Sequence, residues 1–315
     1  MNKKVILSVS VLAFVLAGCS GPAETSDATK VVVSTTILGE PISKLVECAG
    51  GETEVLIPIG ASDHDYTPSA TQVAAMVNAD LVVVNGLGLE SGLADALSNA
   101  KADGATVFEV AEFVNPIAPL EIDTHGHGET HTEDDGHDHD EFDPHFWMDM
   151  QRMALGIEKV GDELSAVTDN PKFTECALEV SNEIKAAEAE VIETLENIPT
   201  ENRKLVTDHF AFNYFAVKYG FEMFGAIIPS TSDLAAPSSA ALSELAHVIE
   251  DNQIRAIFGG LDANTDLAKA VSEEVGYPVT VATLYTGSLG EPGSGADTYI
   301  GMMKTNAQTL LEVLG

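Results

Sequence analysis

The chain has 315 residues, of which 50 are acidic and 15 are basic, so its formal net charge is −35 at pH 7. This length allows about two domains, and a hydrophobic content of 45% is enough for packed cores, which excludes wholesale disorder. The acidity argues against a nucleic-acid partner and against attraction to anionic lipid, whereas cations are drawn towards such a surface.

The N-terminal segment has the organisation of a secretory signal peptide. Two lysines precede an apolar run over residues 5–17, which is too short to span a hydrocarbon core of ~30 Å comfortably. The run leads to Leu-Ala-Gly-Cys at Cys19, an ending that resembles a bacterial lipobox. We predict a signal peptide over 1–18, then a lipidated Cys19 and flexible tether over 19–30, and an extracytoplasmic protein anchored in the membrane by lipid. An ordinary signal peptide with a chance cysteine is the alternative.

The mature chain begins with alternating predicted strands and helices. The strands are expected at 31–36, 55–58, 81–84 and 106–110, and the helices at 37–48, 68–78 and 93–101. Such alternation predicts an α/β fold with a mostly parallel sheet that helices cover on both faces. We assign residues 31–168 to an N-terminal α/β lobe.

Two long helical patterns follow, and the alternation then resumes. The helical patterns lie at about 149–167 and 171–195; the later strands are expected at 204–207, 222–227, 255–258 and 278–282, and the later helices at 211–219, 238–251, 264–275 and 297–313. We predict a connecting long helix within 169–199 and a C-terminal α/β lobe over 200–315. Two such lobes can form a cleft for a small ligand, because open parallel sheets bind ligands at the carboxyl ends of their strands.

Two further cysteines, Cys48 and Cys176, lie in the mature chain. In an exported protein they can form a disulfide, and in a protein of this size they can equally be buried free thiols. The residues alone leave both alternatives open.

Five of the nine histidines lie in one acidic segment, residues 121–143. The segment also holds ten acidic residues and no basic ones, a composition typical of a disordered loop with metal-binding capacity. Imidazoles at this density predict weak binding of zinc or similar ions, and a solvated linker without that role is the alternative. The five are His125, His127, His131, His137 and His139.

Three other histidines stand where they can form one metal site. His64 and His209 each follow a predicted strand, one in each lobe, and His145 enters from the segment between the lobes. Neutral imidazole is the commonest zinc ligand in proteins, and three of them leave one position of a tetrahedral ion open. Each position taken singly is weak evidence. The remaining His247 lies on an amphipathic pattern and is interpreted as an ordinary surface or packing residue.

Several segments carry motifs that occur together, in this order, in one known family. Besides the lipobox they are residues 60–66 (Gly-Ala-Ser-Asp-His-Asp-Tyr), 143–149 (Asp-Pro-His-Phe-Trp-Met-Asp), 207–220 and 290–306. They resemble the zinc/manganese solute-binding lipoproteins of bacterial ABC transporters, and the resemblance covers essentially the whole mature chain.

This resemblance implies an architecture, a metal site and partners. The fold would be two α/β lobes joined by one long rigid helix, with a metal in the interlobe cleft held by His64, His145 and His209. The partners would be an ABC permease and ATPase, and the binding protein itself is expected to be a monomer. The acidic, His-rich segment before Asp-Pro-His is typical of the zinc-specific members.

The sequence departs from the family pattern at Gly287. Many relatives, notably the manganese binders, supply a carboxylate ligand from the C-terminal lobe, and by alignment Gly287 stands where this Asp is expected. Water or Asp63, which directly precedes His64, is therefore the candidate for the fourth ligand, and a purely turn-forming role for Asp63 is the alternative. Loss of a hard oxygen ligand favours Zn²⁺ over Mn²⁺.

The function expected from these features is capture of extracytoplasmic Zn²⁺ and its delivery to an ABC importer. A manganese- or iron-binding member of the same class is the first alternative. A secreted zinc hydrolase would also use three histidines and an open position, but the sequence has no His-Glu-x-x-His or Gly-x-Ser-x-Gly motif. A surface adhesin or zinc buffer that needs no transporter is the last alternative. We therefore expect a binding protein and not an enzyme.

Overall fold

The computed structural model describes residues 28–120, 142–234, 236–261 and 265–315. These residues form two lobes, each built on a four-stranded parallel sheet with helices packed against it. The α/β fold class predicted from the alternating pattern is confirmed.

The first lobe has the sheet order β2-β1-β3-β4, with all neighbours parallel. Its strands are β1 (Lys30–Val33), β2 (Glu52–Val55), β3 (Leu81–Val84) and β4 (Val107–Glu109), and its helices are α1 (Thr36–Cys48), α2 (Ala70–Val77) and α3 (Ala94–Ala102). The central strands β1 and β3 consist of buried valines and leucine, apart from the exposed Lys30 that begins β1, as expected for parallel strands covered on both faces.

Strand β2 lies three residues before its predicted position. It is an edge strand whose Glu52 and Glu54 are exposed. Because these residues are polar, the sequence pattern predicts the strand in the apolar run that follows and not at 52–55. Backbone pairing nevertheless continues past Val55, because Leu56 N donates to Val33 O and Ile57 N donates to Ser34 O, both at 2.9 Å. The predicted segment is therefore extended chain that leads from β2 into the turn of His64.

The second lobe has the sheet order β6-β5-β7-β8, again all parallel. Its strands are β5 (Lys204–Thr207), β6 (Glu222–Ala226), β7 (Ala256–Gly259) and β8 (Thr280–Thr283), and its helices are α6 (Asn213–Tyr219), α7 (Ser239–Asp251), α8 (Thr265–Glu274) and α9 (Tyr299–Leu314). Every one of these lies within two residues of its predicted bounds.

Two long helices, α4 (Met150–Thr168) and α5 (Lys172–Glu196), form a helical hairpin. At Gly161 a Cβ atom would lie only 2.2 Å from the Cβ of Ala177, so the absence of a side chain allows the two helices to approach closely. Helix α5 also packs against α1 of the first lobe and α9 of the second. The chain thus passes between the lobes through α5, which is about 37 Å long at 1.5 Å per residue.

A disulfide joins Cys48, the last residue of α1, to Cys176 in α5, with 6.0 Å between the Cα atoms. This decides between the two alternatives that the sequence leaves open. The largest apolar core is continuous from β1 and α1 through α4 and α5 into α6 and α9. Among the residues that the structure describes, every helix is too short or too polar to cross a bilayer.

Hydrogen bonds connect the two lobes near the carboxyl ends of their strands. Trp147 Nε1 donates to Thr286 O at 3.0 Å, and Gly60 N donates to Ser288 Oγ at 2.8 Å. Ser62 Oγ donates to a carboxylate oxygen of Asp233 at 3.1 Å. These contacts bring the turns after the strands of the two lobes face to face.

Candidate metal centre

His64 lies in the turn that follows β2, with 2% of its surface exposed. Its backbone carbonyl accepts hydrogen bonds from Ser91 Oγ at 2.7 Å and Gly92 N at 2.8 Å. Its ring donates to the backbone carbonyl of Leu89, whereas the buried Nε2 atom has no hydrogen-bond partner. The ring is therefore held from one side and presents Nε2 as a free donor atom for a metal.

His145 lies just before a short 3₁₀ turn that leads into α4, and it is 1% exposed. Asp143 Oδ1 lies 2.8 Å from both the backbone N and the ring Nδ1 of His145. Asp143 is itself fixed by Asn213 Nδ2 at 2.8 Å. This carboxylate holds the ring with its proton on Nδ1 and leaves the buried, unpartnered Nε2 for a metal.

His209 follows β5 in the second lobe and is 6% exposed. Its Nδ1 atom lies 3.2 Å from Asp208 Oδ1, and the other oxygen of Asp208 accepts a hydrogen bond from Gly260 N at 2.8 Å. Asp208 Oδ1 also accepts a hydrogen bond from the backbone N of His209 at 2.8 Å. Asp208 is therefore an ion-pair partner of the imidazole, with poorer geometry at Nδ1 than Asp143 has at His145.

The structure brings these three predicted histidines together. Each offers one ring nitrogen, and the three nitrogens lie within 4.8 Å of one another. The ring centroids are 5.7 Å apart for His64 and His145, 5.6 Å for His64 and His209, and 5.2 Å for His145 and His209. The Nε2 atoms of His64 and His145 are buried without a hydrogen-bond partner, and unprotonated imidazole nitrogens that converge in this way are suited to binding a cation.

Burial sets the protonation of two of the rings. It lowers the pKa of His64 to about 2, and the neighbouring charges of His145 and His209 act in the same direction. Burial also lowers the pKa of His145, although Asp143 opposes this. Both rings are therefore neutral, which is the form that binds metal.

His209 behaves differently from the other two. Burial acts to lower its pKa, but the hydrogen bond to Asp208 and the charges of Asp208, Asp63 and Asp233 outweigh burial and raise the pKa to about 9. His209 is therefore protonated at neutral pH, and a cation that bound its ring would have to displace that proton.

Asp63 lies beside the three histidines without being part of their 4.8 Å cluster. It is 4% exposed, and its Oδ1 atom is 3.8 Å from His64 Nε2. A Cβ atom built on Gly287 would lie 2.6 Å from Oδ1 and 2.7 Å from Oδ2 of Asp63. The Asp63 carboxylate therefore occupies the space in which a side chain at position 287 would begin.

The structure gives no position for several of the other predicted residues. Cys19 and the five histidines of the acidic segment lie outside the described residues: His125, His127, His131, His137 and His139. His247 is an exposed residue of α7, as interpreted from its pattern.

Sequence reasoning gives no role to Asp143 or Asp208, the carboxylates that contact the rings of His145 and His209. Their signal is local, because each carboxylate precedes a candidate ligand by one or two residues, as in Asp143-Pro144-His145 and Asp208-His209. An Asp so placed reaches the Nδ1 atom of the histidine through a short turn.

Comparison with known proteins gives a consistent result. Residues 31–313 match the family described as zinc-uptake complex component A, periplasmic. The manganese-binding lipoprotein MntA of Halalkalibacterium halodurans is 30% identical over 99% of this chain and 99% of its own length. The zinc-binding lipoprotein AdcA of Streptococcus pneumoniae is 30% identical over 98% of this chain, which spans 60% of that longer protein.

A solved structure agrees with the fold. The periplasmic zinc-binding protein TroA of Treponema pallidum superposes with a TM-score of 0.79 at 24% identity, over 91% of this chain and 99% of that one. Two parallel-sheet lobes with a buried histidine cluster between them define an extracytoplasmic solute-binding protein of metal import, which is not an enzyme. The chain belongs to the zinc-uptake component A family, and the resemblance to metal-binding lipoproteins of ABC importers is confirmed.

Proposed function

We propose that this protein captures Zn²⁺ outside the cytoplasm and delivers it to the permease and ATPase of an ABC importer. The observation that carries the proposal is the cluster of three buried imidazole nitrogens from His64, His145 and His209, within 4.8 Å of one another. Closing the three rings onto one ion would bring each nitrogen to the usual distance of about 2.0–2.1 Å from zinc.

The donor set supports zinc rather than manganese. All three clustered donors are nitrogens, which suit zinc, whereas manganese prefers a site rich in oxygen. The carboxylates of Asp143 and Asp208 are engaged by histidine rings, so they act on the metal through those rings. The second candidate is manganese, which is favoured by the name of the full-length relative MntA.

We assign the fourth position of the ion to Asp63. Its carboxylate is buried beside His64 Nε2, and it fills the space left by the missing side chain of Gly287. A small rotation of the Asp63 side chain would bring one oxygen towards the centre of the three nitrogens. The result would be a closed tetrahedral site, as suits a protein that carries a metal and does not use it for catalysis.

Removal of single histidines tests the site. In a chain that lacks residues 123–140, His64→Ala, His145→Ala and His209→Ala should each lose most of the zinc affinity measured by chelator competition. His247→Ala is the matched control, because that histidine is exposed on α7, and it should bind zinc as the parent does. Parent-like affinity in all three site variants would refute the assignment.

Metal preference needs a separate test. Mature protein equilibrated with equal free concentrations of Zn²⁺ and Mn²⁺ should contain zinc, and crystals should give an anomalous signal at the zinc absorption edge from the three-histidine centre. Manganese in the centre under these conditions would establish the second candidate instead.

The acidic, His-rich segment is proposed as an auxiliary metal loop. Its five histidines should hold additional ions weakly, because its acidic, polar composition predicts a segment that loses conformational entropy when it binds an ion. Titration should give one tight site and several weak ones, and deletion of residues 123–140 should remove only the weak ones. Loss of the tight site on deletion would make the loop the primary site.

Membrane attachment is proposed to occur through lipid on Cys19, with the protein acting as a monomer. Expression of the full chain should yield a membrane-bound protein, and Cys19→Ala should release it or block its processing. A Cys19→Ala protein that stays bound to membranes after normal cleavage would contradict the lipid anchor.

A further inference from the structure

A turn of residues 85–92, which follows β3, forms hydrogen bonds to the backbone and the ring of His64. Its Leu89 carbonyl accepts a hydrogen bond from the His64 ring. Its Ser91 Oγ and Gly92 N both donate to the His64 carbonyl, at 2.7 and 2.8 Å. The 85–92 turn therefore fixes both the backbone and the ring of one proposed ligand.

The same turn also reaches the segment that carries a second ligand. Asn85 Nδ2 donates to the carbonyl of Pro144 at 2.9 Å, and Pro144 directly precedes His145. The turn approaches the chain next to His64 closely as well, since a Cβ atom on Gly92 would lie 2.4 Å from the carbonyl carbon of Asp65. The turn therefore packs closely against the chain that follows His64 and also contacts the segment next to His145.

The 85–92 turn has a conformation that it cannot hold by backbone preference alone. Leu87 has a φ of 53°, between Gly86 at 86° and Gly88 at 78°, and a left-handed conformation is unfavourable for leucine. Some other interaction must stabilise these three consecutive residues.

The carboxylate of Glu90 supplies that interaction. One oxygen accepts a hydrogen bond from Asn85 N at 2.7 Å, and the other accepts one from Gly86 N at 3.1 Å. Glu90 is only 5% exposed, and a buried carboxylate is costly unless several donors compensate for its lost hydration. Glu90 stands near the C-terminal end of the turn, and it binds the backbone amides of Asn85 and Gly86 at the N-terminal end. The two ends of the turn are therefore held together by one side chain.

We infer that Glu90 is a positioning residue of the metal centre, which acts on affinity by holding the 85–92 turn in the shape that orients His64. The inference rests on the proposed function, since it presumes that His64 binds the metal. Loss of the Glu90 contacts would leave the His64 ring free to rotate away from the site. Metal binding would then have to order the ring, and the conformational entropy lost in doing so would weaken the affinity.

A second buried glutamate provides the matched control. Glu188 in α5 is also 5% exposed and also accepts hydrogen bonds, from Tyr219 and Gln151. Its partners Gln151, Tyr219 and Lys218 lie on α4 and α6, outside the turns that carry the three histidines. Glu188→Gln thus reproduces the loss of a buried charge without disturbing the 85–92 turn.

The test is a double-mutant cycle on zinc affinity in the full mature chain. Glu90→Gln should weaken zinc binding about tenfold, the lower end of the range for residues that orient metal ligands. In a His64→Ala background the same change should have less than about a twofold effect, because Glu90 is inferred to act through the His64 ring, which that background lacks. In a His209→Ala background the full effect should remain, since that ligand comes from the other lobe. Glu188→Gln should change affinity by less than about twofold in every background.

The possible results distinguish failure of the inference about Glu90 from failure of the proposed zinc site. If His64→Ala weakens binding but Glu90→Gln does not, the inference fails and the proposed function stands. If Glu90→Gln weakens binding equally with and without His64, Glu90 acts on the fold as a whole and the inference fails too. If His64→Ala itself binds zinc like the parent, the proposed function fails. Should Glu90→Gln not fold, Glu90→Asp, which keeps the charge but is too short to reach both amides, carries the same cycle.

Discussion

At the scale of single residues, the protonation of His209 predicts how affinity depends on pH. Its pKa of about 9 in the metal-free protein means that a proton must leave when a cation binds. His64, with a pKa of about 2, adds no further competition at neutral pH. Zinc affinity should therefore fall about tenfold per pH unit as the pH decreases from 8 to 6, one proton for each ion.

This slope is measured by chelator competition across that pH range. Calorimetry in two buffers of different ionisation enthalpy counts the protons released, and the expected number is close to one. Affinity that does not change between pH 6 and 8 would show that His209 is already neutral. The Asp208→Asn variant is the control: it removes the charge that raises the pKa of His209, and it should flatten the slope.

The contact between Asp63 and Gly287 predicts the result of moving the carboxylate from one lobe to the other. Asp63→Ala should weaken zinc binding by removing the proposed fourth ligand. Gly287→Asp alone should not improve the site, because its Cβ would lie 2.6 Å from the Asp63 carboxylate. The combined variant Asp63→Ala/Gly287→Asp should recover affinity relative to Asp63→Ala and shift preference towards manganese.

Metal competition on the three variants checks this expectation. A single Gly287→Asp variant with stronger manganese binding than the combined variant would mean that the two side chains do not share the space. Sequence reasoning identified both positions as relevant to the fourth ligand. Their contact could not be predicted from the sequence, because the two residues are far apart along the chain and belong to different lobes.

At the scale of secondary structure, most of the fold is predictable because strong local signals agree. The buried strands are β-branched runs, and helices begin at side-chain caps, such as Thr35 for α1, Ser238 for α7 and Thr298 for α9. The misplaced strand β2 lacks such a signal, since alternating Glu52 and Glu54 give an edge strand the composition of a loop. The sharp 85–92 turn is missed for a related reason: its conformation depends on the buried Glu90, and not on a short-range turn motif.

The disulfide between α1 and α5 predicts a large effect on stability with little effect on binding. It closes a sequence separation of 128 residues, so its removal should lower the free energy of unfolding by about 3–5 kcal/mol. The Cys48→Ala/Cys176→Ala variant should bind zinc like the parent, since the cysteines lie in α1 and α5 whereas the three histidines lie outside these helices. Urea unfolding of the metal-free protein, with and without reductant, measures the difference; identical midpoints under both conditions would contradict a stabilising bond.

At the scale of the whole molecule, one continuous apolar core joins the two lobes. Where the lobes face each other across the cleft, a few hydrogen bonds connect them. The bond from Ser62 Oγ to Asp233 is one of these contacts, and it can form only while the two lobes face each other. Ser62→Ala removes this bond and also the one that Ser62 Oγ accepts from His64 N at 3.2 Å. It should therefore accelerate zinc release about fivefold for each ~1 kcal/mol of hydrogen bonding lost.

Stopped-flow transfer of zinc to a chelator measures that rate. Ser243→Ala is the matched control, because it removes a serine hydrogen bond, to Glu274, that lies within the second lobe. Release at the parent rate from Ser62→Ala would mean that the contact does not hold the cleft. The relative placement of the lobes that creates this contact was not predictable, since it depends on packing of α5 against α1 and α9 rather than on any local pattern.

The shared space at Asp63 and Gly287 also has a consequence for how the family diversifies. Two positions that compete for one volume cannot change independently, so relatives with a side chain at the position of Gly287 should carry a small residue directly before the first histidine. Relatives with glycine there should tend to carry an acidic one. The residues at these two positions would then determine metal preference together. Two substitutions could move the carboxylate from one lobe to the other without any change in the three histidines.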